Sequence, residues 1–146
     1  MADYILGLDL GRINDYTALV IAEAVTLPLT SKHTVQFVPS DKQQQPPQSI
    51  YYDIRHIERM PQGMTYPEIV DRVKAVYNSP IIRNSSYLVV DATGVGLAVV
   101  DMLSAANLFP ISITITGGTA VTNETWDHFN VPKRDLVTLL QVLLQS

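Results

Sequence analysis

Two stretches of this chain share one design, and the repetition narrows the fold more than any other feature. Tyr4-Ile-Leu-Gly-Leu-Asp-Leu-Gly11 is a nearly continuous apolar run closed by a glycine, with Asp9 near its end. Tyr87-Leu-Val-Val-Asp-Ala-Thr-Gly94 repeats it: an apolar run, then Asp91, then a glycine turn. Such runs suit central strands covered on both faces, as found in α/β sheets. A carboxylate inside such a strand is costly unless something positive compensates it. If the strands lie parallel and adjacent, both acids emerge at one sheet edge, where open α/β sheets place their sites. Two acids converging there point to a metal.

The segments between these anchors supply the other layers. Residues 10–15 read as a polar turn and residues 17–24 as a second strand, forming a hairpin with the first. Residues 32–38 can continue the sheet as a short strand, after which residues 39–49, rich in proline and glutamine, read as a surface loop. Residues 50–59 alternate, with Ile50, Tyr52, Ile54 and His56 on one face and Tyr51, Asp53, Arg55 and Ile57 on the other, as a strand does. Thr65-Tyr-Pro-Glu68 is a capping-box signature, and Ile69, Val70, Val73, Val76 and Tyr77 follow at helical spacing until Asn78-Ser-Pro80. A helix is also expected from Gly96 to about Ala106, then a strand over residues 111–115, so that strand, helix and strand form a parallel crossover. Residues 117–130 read as a loop. From Pro132 onward Leu136, Leu139, Leu140, Leu143 and Leu144 form an apolar helical stripe that needs a partner, which suggests a chain truncated at its C-terminal end. The result is an α/β fold: a mixed five-stranded sheet, three antiparallel strands followed by two parallel ones, flanked by helices.

Composition sets outer limits. A chain of 146 residues, 47% hydrophobic, can bury one good core and is expected to be a single domain. A net charge of -4 gives no bulk attraction to nucleic acid or to an anionic membrane, so contact with DNA would need a local basic patch. With no cysteine, disulfides and thiolate metal sites are excluded, and a cytoplasmic setting fits. No stretch reaches the roughly 18 apolar residues of a membrane span.

Taken jointly and in order, Gly7-Leu-Asp-Leu-Gly11, Asp15-Tyr-Thr-Ala18, Val89-Val-Asp-Ala-Thr-Gly-Val-Gly96 and Val131-Pro-Lys-Arg-Asp-Leu136 resemble the nuclease domain of the large terminase subunit of tailed bacteriophages. The resemblance spans residues 5–144. It implies an RNase H-like fold and a single nuclease domain over residues 1–146, lacking its C-terminal portion and the ATPase motor that precedes it in the family. Consistent with that, no Gly-x-x-x-x-Gly-Lys-Ser/Thr is present. It further implies an endodeoxyribonuclease that cuts concatemeric double-stranded DNA in the host cytoplasm during genome packaging. The ATPase domain, the small terminase subunit and the portal would be its partners. Cutting would use two magnesium or manganese ions about 4 Å apart, held by carboxylates, with no nucleophilic side chain. By resemblance Asp9 shares the metals and Asp91 holds one of them. The family's further acid lies on a helix beyond Leu144, with no match here.

Other residues carry weaker signals. Asp15 reads either as an accessory metal ligand or as a loop aspartate holding its own backbone. Lys133, Arg134 and Arg12 are the candidate DNA contacts; the first two sit in a first helical turn, where cations oppose the helix dipole. His33, His56 and His128 show no ligand spacing. Glu124, Asp127 and Asp135 could replace the absent acid, although Asp135 is more simply a helix-dipole partner. Trp126 and Phe129 could stack on bases or fill a core edge. Two other functions fit parts of the pattern: a nucleotide-binding lobe like those of the actin and sugar-kinase group, whose phosphate loops also follow Asp-x-Gly strands, and a catalytically silent docking module of the packaging motor. The first uses paired lobes, for which this chain is short.

Overall fold

The computed structural model of the chain describes residues 3–11, 15–28, 48–94 and 97–145. The elements run β1 (Tyr4–Asp9), β2 (Ala18–Pro28), β3 (Gln48–Arg59), α1 (Tyr66–Tyr77), β4 (Ser86–Asp91), α2 (Leu97–Ala105), β5 (Ile111–Thr116), β6 (Thr122–Thr125), β7 (His128–Pro132) and α3 (Lys133–Gln145). The seven strands of the described residues join one mixed sheet in the order β3-β2-β1-β4-β5-β7-β6. β1, β4, β5 and β7 are mutually parallel, while β2 and β6 run against their neighbours.

The α/β class, the antiparallel opening and the parallel crossover are as the sequence indicates. The count of five strands is corrected to seven among the described residues, because residues 117–130, read as a loop, contain the β6–β7 hairpin. Every residue of β6 is exposed, so that strand carries no apolar face for a pattern to reveal. The expected strand at residues 32–38 lies outside the described residues. In β3 the strict alternation also fails: pairing with β2 passes from Ile21–His56 to Ala22–Ile54, which bulges Arg55. Ile57, opposite Val20, therefore shares a face with Ile54 and Tyr52, opposite Ala22 and Ala24.

The core lies on one face of the sheet. Leu6 and Leu8 of β1, Leu19 and Ile21 of β2 and Leu88 and Val90 of β4 pack with Ile69, Val70 and Val73 of α1 and Val99 and Leu103 of α2. α1 begins as its sequence predicts, with the Glu68 carboxylate accepting from both the Thr65 N–H (2.7 Å) and its hydroxyl (2.8 Å). The other face is more open than a strand covered on both sides would have. Ile5 and Gly7 are half-buried, and Ile54 and Ile57 are 56% and 71% exposed. No residue of α3 is buried, and its stripe at Leu139, Leu140, Leu143 and Leu144 is exposed. At the far end of β1 from Asp9, the N–H groups of Asp3 and Tyr4 donate to Ser85 O, and Ser85 Oγ donates to Asp3 Oδ2 at 2.7 Å. This clasp holds β1 in register with β4.

Candidate functional site

Alternation along β1 sends Leu6 and Leu8 into the core, so Asp9 falls on the open face at the strand's carboxyl end. The β1–β4 register places Asp91 directly opposite Asp9, and the β1–β2 register places Ala18 opposite it on the other side. The acids of the two repeated runs are thus in-line neighbours one strand spacing apart, roughly 4.8 Å between backbones.

The turn after β1 is held by a small polar network. Thr17, 5% exposed, accepts the Gly11 N–H at 3.1 Å through its hydroxyl. Gly11 is required there because a Cβ would lie 2.4 Å from the Asp15 carbonyl oxygen. That close approach folds the turn back and brings the Asp15 charge near Asp9. Burial first, then repulsion from Asp91 and from Asp15, raises the Asp9 carboxyl above its ordinary range. Among the described residues no cation offsets that crowding. After β4, Asp91 Oδ1 accepts the Thr93 N–H at 2.8 Å, and Thr93 Oγ1 accepts the Ile115 N–H at 2.7 Å, tying the turn to β5. Gly94 follows with φ +76°, a conformation that favours glycine. The turn-forming role of Asp91 and its place beside Asp9 therefore coexist.

Among the described residues no three His, Cys, Asp or Glu side chains converge into a metal-ligand set. Asp15 adds its negative charge to the neighbourhood of Asp9. Glu124 accepts from Asn130 (3.2 Å), Asp127 from the Thr125 hydroxyl (2.6 Å), and Asp135 from Arg134 (3.1 Å), so each alternative acid is engaged locally. His128 Nδ1 lies 2.7 Å from Ser112 Oγ and His56 3.1 Å from Glu58, both outside the acid pair. His33 lies outside the described residues.

The candidate cations fare unequally. Arg12 lies outside the described residues. Lys133 and Arg134 open α3 just past the carboxyl end of β7, at the same sheet edge as the acids and two strands beyond Asp91. With Thr116 and Gly118 they line a cavity of about 480 Å³. Arg134 also donates to Thr119 O at 2.7 Å, which fixes it against the loop after β5. Trp126, 78% exposed, sits at the other end of β7, away from that edge. Phe129 pairs with Ile113, which pairs with Asp91, so it belongs to the transverse row of the acids.

Sequence reasoning passed over Tyr16, Thr17, Arg59 and Thr93. Arg59 closes β3 opposite Ala18 and stands 4.2 Å above the centre of the Tyr16 ring. No family model matches this chain, and neither a curated protein nor a solved structure matches it. No helix of the described residues is long and apolar enough to cross a membrane.

Proposed function

We propose that this chain is an RNase H-like, metal-dependent endonuclease domain of a viral DNA-packaging terminase, acting on double-stranded DNA in the host cytoplasm. The observation that carries the reading is the direct opposition of Asp9 and Asp91 on adjacent parallel strands, at the open carboxyl edge of the sheet. Two acids held together, with no compensating cation among the described residues, are poised for a positive ligand, and burial together with repulsion from Asp91 and Asp15 raises the Asp9 carboxyl. Their hard oxygen donors suit magnesium or manganese. When bound, such ions supply Lewis-acid polarisation of the phosphate and a water of lowered pKa.

The chain's own work is positional. β1 and β4 fix the spacing of the two carboxylates, while the Gly11–Thr17 and Thr93–Ile115 hydrogen bonds brace the turns behind them. Lys133 and Arg134 supply phosphate contacts at the same edge. The ATPase domain, small subunit and portal of the motor are the proposed partners, and they would choose where the cut falls. The test is nicking of supercoiled plasmid in manganese, with chelator and Asp9→Asn as controls. Cutting that both controls abolish supports the reading; cutting that survives Asp9→Asn refutes it.

A further inference from the structure

The acids do not lie at one end of the edge; they lie midway between two cationic positions. Arg59 is two strands from Asp9 on one side, in the same transverse row through Ala18. Lys133 is two strands from Asp91 on the other, beyond the end of β7. Five strand spacings, roughly 24 Å at about 4.8 Å each, separate these flanks across the sheet, and Lys133 also stands beyond the acids' row, which meets β7 at Phe129.

Arg59 also differs from the other arginines whose partners are defined. Arg55 is bound to Glu23, Arg72 to Glu58 and Arg134 to Asp135, whereas Arg59 forms no ion pair among the described residues. Its guanidinium lies on the Tyr16 ring instead. A ring face restrains the guanidinium plane without occupying its N–H donors, so the group is oriented and still free to bind an anion. Tyr16 belongs to the turn that also carries Asp15 and Thr17, which couples this cation to the framework behind Asp9.

We propose that Arg59, oriented by Tyr16, is a phosphate-binding residue, and that duplex DNA crosses the strand ends from Arg59 to Lys133 with the acid pair beneath its middle. This rests on the nuclease reading above and adds to it a track and a length. At about 3.4 Å of rise per base pair, a crossing of roughly 24 Å or more corresponds to at least about seven base pairs. The two flanks would grip the backbone on either side of the phosphate over Asp9 and Asp91, so the chain's net negative charge is no bar to binding.

The test measures binding of a 20-base-pair duplex without divalent metal over a range of salt, beside plasmid nicking in manganese. Arg59→Ala is expected to lower the slope of log affinity against log salt by about 0.9, so that affinity falls about 3.5-fold less between 50 and 200 mM salt. Arg59→Lys is expected to keep the slope, and Tyr16→Leu to weaken binding while keeping it. Both side chains are exposed, and matching circular dichroism spectra will show the fold unchanged. Wild-type slope in Arg59→Ala, with nicking intact, overturns this inference and leaves the nuclease reading standing. A wild-type chain that neither binds the duplex nor nicks overturns both.

Discussion

Asp9→Asn separates a functional acid pair from a structural one, because the two roles predict opposite signs for stability. The Asp9 carboxyl is raised above its ordinary value of 3.8, by burial first and then by Asp91 and Asp15. An acid raised in the folded state destabilises the fold wherever it is ionised there: the penalty is absent below the unfolded value and complete once pH exceeds the folded one. Its size follows from the register. Side chains directly opposed on neighbouring strands lie roughly 5 Å apart, and two charges at that distance repel by about 0.8 kcal/mol in water and about 3 kcal/mol at an effective permittivity near 20. Asp9 is partly desolvated by its neighbours but keeps much of its surface open to solvent, which favours the lower end, near ~1 kcal/mol. The amide removes that repulsion, so Asp9→Asn should raise Tm by about 3 °C at pH 7 for a chain of this length. The gain should vanish by about pH 3, where the wild-type carboxyl is protonated in both states. Thermal melts followed by circular dichroism at the two pH values measure this. Millimolar manganese should raise Tm of the wild type and leave the variant unmoved. A lower Tm for Asp9→Asn at pH 7 would show that the carboxylate makes a stabilising contact, and the reasoning from crowded charge would fail.

Two further outcomes test the frame around the site. Thr17→Val keeps the shape of a buried side chain but leaves the Gly11 N–H without its acceptor, so denaturant unfolding should show a loss of about 1–3 kcal/mol, while Thr17→Ser should retain most of the stability. Glu58, bound by Arg72 through two hydrogen bonds of 2.8 Å and by His56, has its carboxyl lowered to about 2. Its contribution is present above the ordinary value of 4.5 and lost as pH falls toward 2; with Arg72 half-exposed it is ~1 kcal/mol, so Glu58→Gln should cost that much at pH 7 and little near pH 2.

Much of the architecture was legible because it rests on local patterns. The apolar runs around Leu6 and Leu88, the capping box at Thr65 and the helical spacing from Ile69 to Tyr77 each have a buried face, and each forms the expected element. The opposition of Asp9 and Asp91 was legible only conditionally, since it needs the two runs to be parallel neighbours. Their repeated design made that the economical arrangement, and the register supplies it. What escaped lacked a pattern. Thr122–Thr125 is exposed throughout, so nothing distinguishes it from a loop except its threonines. Arg59 is one charged residue at the end of an alternating strand; its nearness to Tyr16 depends on the β2–β3 register and on a bulge that the alternation itself conceals. Thr93 and Thr17 act through single hydrogen bonds, which leave no periodic trace.

The Asp3–Ser85 clasp joins residues 82 apart in sequence, and the parallel pairing it secures has a consequence for how the chain matures. β1, β2 and β3 form an antiparallel meander, and neighbouring antiparallel strands can zip as soon as they leave the ribosome. Asp9 meets Asp91 only after the third strand, the first helix and all of β4 have been made. Closing so long a loop is slow compared with local pairing, and until it closes one long side of β1 is an unprotected strand edge. Docking of β4 completes the centre of the sheet and creates the acid pair in a single event, so an unfinished chain is open to aggregation and holds no paired carboxylates.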